Sequence, residues 1–312
     1  KLFFPMSRDN IVRLIKDMNQ FSIKDVEALT GIKSHTLRIW EQRYGIPQPK
    51  RTSTNIRFYD DEDIKLLLSV SALNRHGYKI SKITSMSDNE RSSLVQEISQ
   101  LSGDHVVQIE ALTAAMFNFD EVVFEQILSA YTLKHGFENT FLDLVFPFFG
   151  RVGMLWQTGS INPAYEHFIT NLIRQKLFVA ADAQPKHLKV GGKKFLLFLP
   201  GFEPHEIGLL FANYLIRSKG HHTNYLGPNL PIDDLGPVMQ LYKADYILTV
   251  LTAPHPTQTP LFITKKLSND FPNTKILLSG FQMMQANIQL PTNVKVLTSM
   301  QDLSALLDVL NS

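Results

Sequence analysis

The last third of the chain sets the tightest constraint on folding. From Lys193 onward, short apolar runs ("KKFLLFLP", "HHTNYLGP", "ADYILTVLT", "TKILLSG", "VKVLTS") alternate with segments of helical spacing ("HEIGLLFANYLIRSKG", "DDLGPVMQLYK", "PLFITKKLSND", "FQMMQAN", "MQDLSALLDVL"). Apolar strands with a helix between each pair are buried on both faces, and a parallel sheet with helices on both sides satisfies that requirement. A doubly wound, Rossmann-like sheet of five parallel strands is therefore expected over residues 192–312. Ligands of such sheets bind at the carboxyl ends of the strands. His205, in "PGFEPHEIGLL" after the first strand, falls at that edge.

The beginning of the chain has a different grammar. Ile23, Val26 and Leu29 give one helix an apolar face, "TGIKS" makes a turn, and Leu37 with Trp40 begin the face of a second helix. That order is a helix-turn-helix, followed by a small wing. The whole chain carries a net charge of only +2, from 31 basic and 29 acidic residues, so any nucleic-acid function must rest on a local patch. One exists: between Lys33 and Arg57 stand Lys33, Arg38, Arg43, Lys50, Arg51 and Arg57 against Glu41 alone. A second helix in the major groove would bring Arg38 and His35 to base edges and phosphates, with Lys50, Arg51 and Arg57 neutralising phosphates from the wing. The rival reading is a solvated basic face.

"FSIKDVEALTGIKSHTLRIWEQRYG" followed by "RTSTNIRFYDDEDI" resembles the MerR family of transcriptional regulators. The resemblance implies that the helix bearing Arg38, Trp40 and Glu41 reads DNA, and that the wing residues Asn55, Arg57 and Tyr59 grip the backbone. The DNA-contacting set expected over a domain of residues 21–90 is His35, Thr36, Arg38, Trp40, Arg43, Lys50, Arg51, Asn55, Arg57 and Tyr59. Many MerR members dimerise through one long coiled-coil helix, but "SKITSMSDNERSSLVQEISQLSGD" breaks before several heptads accumulate. A homo-oligomer, dimer or tetramer, must then be built differently.

Between these regions, residues 104–183 hold four segments of helical spacing, which read as a four-helix bundle, with Pro147 expected to kink or divide the third. The opening "KLFFPMSR" is too short for a signal peptide, and residues 1–20 read as an arm. No apolar run approaches a membrane span, and the absence of cysteine leaves a cytosolic assignment as the simplest; a bacterial cytoplasm is the expected location.

A lone loop histidine is usually an exposed polar residue. "HEIGL" begins like a zinc-protease helix but has Leu209 where a second histidine is needed, and the sheet lacks dinucleotide, Walker and nucleophile-elbow motifs. What fits is Glu203-x-His205-x-x-Gly208, then Thr249-x-Leu251, then Ser279-Gly280. This resembles the signature of cobalamin-binding domains, with Thr249 for the usual serine and Ser279 for the first glycine. The resemblance implies His205 as cobalt ligand, Glu203 holding its other ring proton, and Gly208, Thr249, Leu251, Ser279 and Gly280 shaping a slot for the nucleotide tail. In the bundle, Trp156 followed by Glu166-His167 resembles the W-x9-EH motif of B12-dependent, light-responsive MerR regulators of the CarH/LitR kind. It implies a tryptophan over the corrin and a Glu-His pair lining the upper pocket. Trp156 as core and Glu166-His167 as a solvated face is the competing reading. Gln157 stands where that group has a second cobalt-binding histidine.

These readings converge on a transcription factor, not an enzyme. It is expected to repress from double-stranded operator DNA under the control of a bound cobalamin (adenosylcobalamin or methylcobalamin). A vestigial cofactor site governed by a protein partner, and a corrinoid methyltransferase carrier, are the alternatives.

Overall fold

A computed structural model describes residues 20–101, 105–157, 161–184 and 191–311. The expected arm lies almost wholly outside them. The chain divides into two compact units, residues 1–169 and 170–312, and the division falls inside one helix, Pro163–Asp182.

In the first unit, α1 (Ile23–Thr30) starts at a capping box: Ser22 Oγ accepts from the Asp25 N–H, and the Asp25 carboxylate accepts from the Ser22 N–H. It stops at Gly31, whose φ of 70° places it in the left-handed region. The next helix, α2 (Ser34–Tyr44), has no side-chain cap from Lys33. Glu27 from α1 serves instead, accepting from the Ser34 N–H and hydroxyl at 3.1 and 2.7 Å, so the turn is locked by the helix before it. A two-stranded antiparallel wing follows, β1 (Lys50–Arg51) with β2 (Arg57–Phe58), then α3 (Asp61–Arg75), α4 (Ile80–Thr84) and α5 (Asp88–Leu101).

The bundle helices are α6 (His105–Phe117), α7 (Glu121–His135), α8 (Phe146–Gln157) and α9 (Pro163–Asp182). Pro147, expected to kink or divide the third segment, does not divide it. A short helical lead-in, Phe137–Asn139, runs into a π-helical turn, Thr140–Val145, where the Phe146 N–H donates to the Phe141 carbonyl. Proline has no N–H and its ring crowds the carbonyl four residues back; the wider turn just upstream accommodates the ring without breaking the helix.

In the second unit, β3 (Lys194–Pro200), β4 (His222–Leu230), β5 (Tyr246–Val250), β6 (Lys275–Ser279) and β7 (Val294–Val296) form one sheet in the order β4-β3-β5-β6-β7, every neighbouring pair parallel. The five-stranded doubly wound expectation is met. The connecting helices are α10 (Ile207–Ser218), α11 (Leu235–Tyr242), α12 (Pro260–Asp270) and α13 (Phe281–Gln285), with α14 (Met300–Asn311) last. Leu196, Phe198, Ile247, Ile276 and Leu278 are buried together with Leu235 and Ile263 in one core. The strand order reverses between β3 and β5, so the crevice favoured for ligands lies at their carboxyl ends.

Candidate functional site

On α2 the exposed residues are His35, Arg38, Ile39, Gln42 and Arg43, a stripe at positions i, i+3, i+4, i+7 and i+8, with Thr36 half-buried beside it. Three of the five were expected from charge. Ile39, 45% exposed, and Gln42 were missed, although helical spacing from His35 alone points to them. An exposed aliphatic suits a thymine methyl, and a glutamine suits an adenine edge.

Two residues of the expected DNA-contacting set are inside the protein. Trp40 is in the core, and Tyr59 is fully buried. Tyr59 pairs by backbone with Phe21, and its hydroxyl donates to Glu41 at 2.7 Å. Burial, and next its hydrogen bond to Glu41, push its phenol far up. Tyr59 therefore joins the wing to α2 and does not grip phosphate; Trp40 seats α2 on its neighbours. The other wing residues remain exposed. Arg57 lies 3.4 Å from Glu41, Lys50 pairs with Asp60, and Arg51 donates to Asn55 at 2.9 Å. Asn55 sits at φ 64°, where asparagine is tolerated, and so makes the tip of the wing.

The second candidate site is at the β3/β5 crevice. Glu203, 0% exposed, accepts through Oε1 from the His205 backbone N–H (3.0 Å) and from its Nδ1 (2.6 Å). Through Oε2 it accepts from the backbone N–H groups of Thr252 and Ala253, at 2.5 and 2.8 Å, in the loop after β5. Burial pushes this carboxyl upward, but the His205 bond and the backbone donors more than offset that, and it lies below its ordinary value. The ionised carboxylate holds the His205 proton on Nδ1 and puts the imidazole lone pair on Nε2. The ring is 52% exposed.

The remaining residues of the motif divide. Thr249 is fully buried, and among the described residues its hydroxyl has no hydrogen-bond partner. Leu251 belongs to the core. Gly280 is demanded by the fold: at φ 101°, a Cβ would stand 2.5 Å from the Leu251 carbonyl oxygen. A Cβ on Gly208 would meet only the Met300 methyl at 3.4 Å. Ser279 turns its hydroxyl to the Leu297 carbonyl at 2.9 Å, so in place of glycine it is satisfied within the sheet.

Beside His205, Glu206 was passed over in the sequence. It is buried, accepts from Tyr225 at 2.6 Å and pairs with Arg174 of α9 at 2.8 Å, which ties the histidine loop to that helix within the second unit. No periodicity marks such a contact, since its two partners come from two other elements, β4 and α9. On α9, Glu166 and His167 lie 3.6 Å apart, and the histidine is 74% exposed. Trp156 and Gln157 occupy the last turn of α8.

Residues 21–90 match the MerR HTH family of regulatory proteins, and residues 108–180 match the B12 binding domain family. The chain is 27% identical to the HTH-type transcriptional repressor CarH of Myxococcus xanthus over 73% of its own length and 77% of that protein's. It is 27% identical to the repressor CarA of the same organism, over 67% and 68%. Among solved structures, a monomethylamine corrinoid protein of Methanosarcina barkeri covers 64% of this chain and 96% of its own at 15% identity, with a TM-score of 0.48. The chain thus carries a MerR-type helix-turn-helix at one end and a B12-binding domain behind it, and over two thirds or more of its length it is similar to repressors of transcription.

Proposed function

We propose that this protein is a repressor of transcription whose binding to double-stranded operator DNA and whose self-association are controlled by a cobalamin. In this reading residues 21–90 bind DNA, 104–183 cap the cofactor and 192–312 hold it. The role is regulatory and not catalytic. The observation that carries it is the Glu203–His205 pair, a buried carboxylate holding a half-exposed imidazole at the sheet's switch point.

The residues present fit the cofactor. His205 Nε2 would take the cobalt. The buried Thr249 hydroxyl, without a hydrogen-bond partner among the described residues, is a group that a nucleotide tail would satisfy. Glu166 and His167 would line the upper side with Trp156. When bound, cobalamin would supply a cobalt that His205 could ligate and that exchanges its other ligand; what this chain supplies is the oriented imidazole and the enclosing walls. On the DNA side, the α2 stripe would meet base edges, and Lys50, Arg51 and Arg57 the phosphates. Among the described residues no helix is long and apolar enough to cross a membrane.

The test is absorption spectroscopy with adenosylcobalamin and methylcobalamin, in the dark and after light. Binding should give a histidine-ligated spectrum that His205→Ala abolishes; a chain that stays colourless would end the proposal. Light response is a separate arm. The amide of Gln157 is a weak cobalt ligand beside an imidazole, so the illuminated parent should release cofactor on a desalting column more readily than Gln157→His does. Equal retention would refute a role for position 157 over the corrin.

A further inference from the structure

Residues matched to the B12-binding family touch residues matched to the MerR family inside the first compact unit. One such contact is Tyr165, the residue immediately before Glu166 and His167. Its hydroxyl donates at 2.9 Å to Asp61, a residue 104 positions earlier and the first of α3. The neighbouring Asp60 caps α3 and pairs with Lys50 of the wing. The ring of Tyr165 stacks on Phe119 with centroids 4.8 Å apart and meets Phe117 at 5.0 Å. Phe117 in turn stands edge-on to Phe21 at 5.9 Å. Phe21 exchanges both backbone hydrogen bonds with Tyr59, at 2.8 and 2.9 Å, and Tyr59 donates to Glu41 on α2.

We infer that Tyr165 is a positioning residue for DNA binding, which transmits the state of the cofactor-facing helix to the wing base and to α2. The inference rests on the proposed cofactor control. Two routes leave this one side chain: the hydroxyl to Asp61 and the Asp60–Lys50 pair, and the ring through Phe117 and Phe21 to Tyr59 and Glu41. Tyr165 is only 8% exposed, so a shift of α9 at Glu166–His167 cannot be absorbed by solvent around the ring. It has to move its partners or break the hydrogen bond. Burial, then the charge of Asp61, raise the phenol, so the hydroxyl stays a donor throughout the physiological range. Coupling of this kind is a difference in affinity between two states, not an affinity in itself.

The experiment compares the full chain with Tyr165→Phe, which keeps the ring, with Asp61→Asn, and with the double variant. The DNA probe is the site that the full chain selects from a random-sequence pool. Operator affinity is measured with and without adenosylcobalamin, cofactor affinity by absorbance titration, and hydrogen exchange over residues 50–63 in cofactor-free protein. A merely structural role would lower operator affinity equally in both states. Positioning predicts instead that Tyr165→Phe leaves cofactor-free operator affinity within about threefold while the cofactor-induced ratio falls by about fivefold or more. Exchange over 50–63 should rise in each single variant and no further in the double variant. A full parental ratio, unchanged exchange, or additive effects in the double variant would each overturn the inference. If the parent itself shows no cofactor-induced ratio, cofactor control falls, and the exchange result still decides whether Tyr165 positions the wing base.

Discussion

Two glutamate–histidine pairs on this chain are made of the same side chains and differ in everything else. Glu203 and His205 lie on a loop at a sheet edge, 2.6 Å apart, with the carboxylate out of solvent and four donors converging on it. Glu166 and His167 are neighbours on a helix, 3.6 Å apart, with the histidine mostly in water. Adjacent residues on a helix point about 100° apart, so the second pair cannot orient an imidazole as the first does. What makes the first a preorganised ligand is not the pair but the backbone: the β3 and β5 loops aim N–H groups at one carboxylate, which then fixes the ring.

The largest effect that would test this contrast is at Glu203. Replacing it with alanine leaves three backbone donors and the imidazole proton without their acceptor, each costing about 1–3 kcal/mol when buried. Urea unfolding should show a loss of several kcal/mol, about 3 or more. A loss near that of an exposed residue would show that the carboxylate does not organise the loop.

Next in size is the split between the histidines. His205→Ala should weaken cobalamin binding by about 100-fold or more, since even partners one bond further from a metal cost 10–100-fold. His167→Ala should cost no more than about 1 kcal/mol, the range of exposed pairs. Equal losses in absorbance titrations would mean that the two pairs contribute alike, and the contrast would fail.

A smaller and more diagnostic effect lies in pH. The folded-state value of Glu203 is below its ordinary one, so the unfolded chain binds more protons in acid. The stability it contributes is whole above the ordinary carboxylate value and is lost as pH falls through the lowered folded value. Melting temperatures of the parent and Glu203→Gln should therefore differ most at neutral pH and converge in acid. A gap constant with pH would point to packing and not charge. The smallest effect is expected for Glu166→Gln, under about 0.5 kcal/mol of stability, as for other surface changes.

The contrast also explains what could be read before the structure and what could not. Strand and helix alternation made the parallel sheet legible, because buried parallel strands must be apolar on both faces. The turn at Gly31 and the basic run from Lys33 to Arg57 made the helix-turn-helix legible. Glu203-x-His205 was legible as a local pair. That Thr252 and Ala253 complete it was not, because β3 and β5 are neighbours only once the strand order is set. Trp40 and Tyr59 were misassigned for the same reason: a type and spacing shared with DNA-reading residues does not reveal which side faces a second element. Gly280 was noted for a ligand slot, while the backbone of Leu251 is what requires it.

The sequence by itself determined the periodicities, hence the element types and the order of the two family matches, since those depend on neighbours within a few residues. It also determined the local charge of the wing region and the chemistry available at each motif. Only tertiary structure decided which of those groups are ligands, which are struts and which are joints. Glu41, Tyr59, Asp61, Tyr165, Arg174 and Glu206 all take their meaning from partners on other elements. A hydrogen bond needs its atoms about 3 Å apart, and for partners as much as 104 residues apart in the chain only the packed fold brings them there.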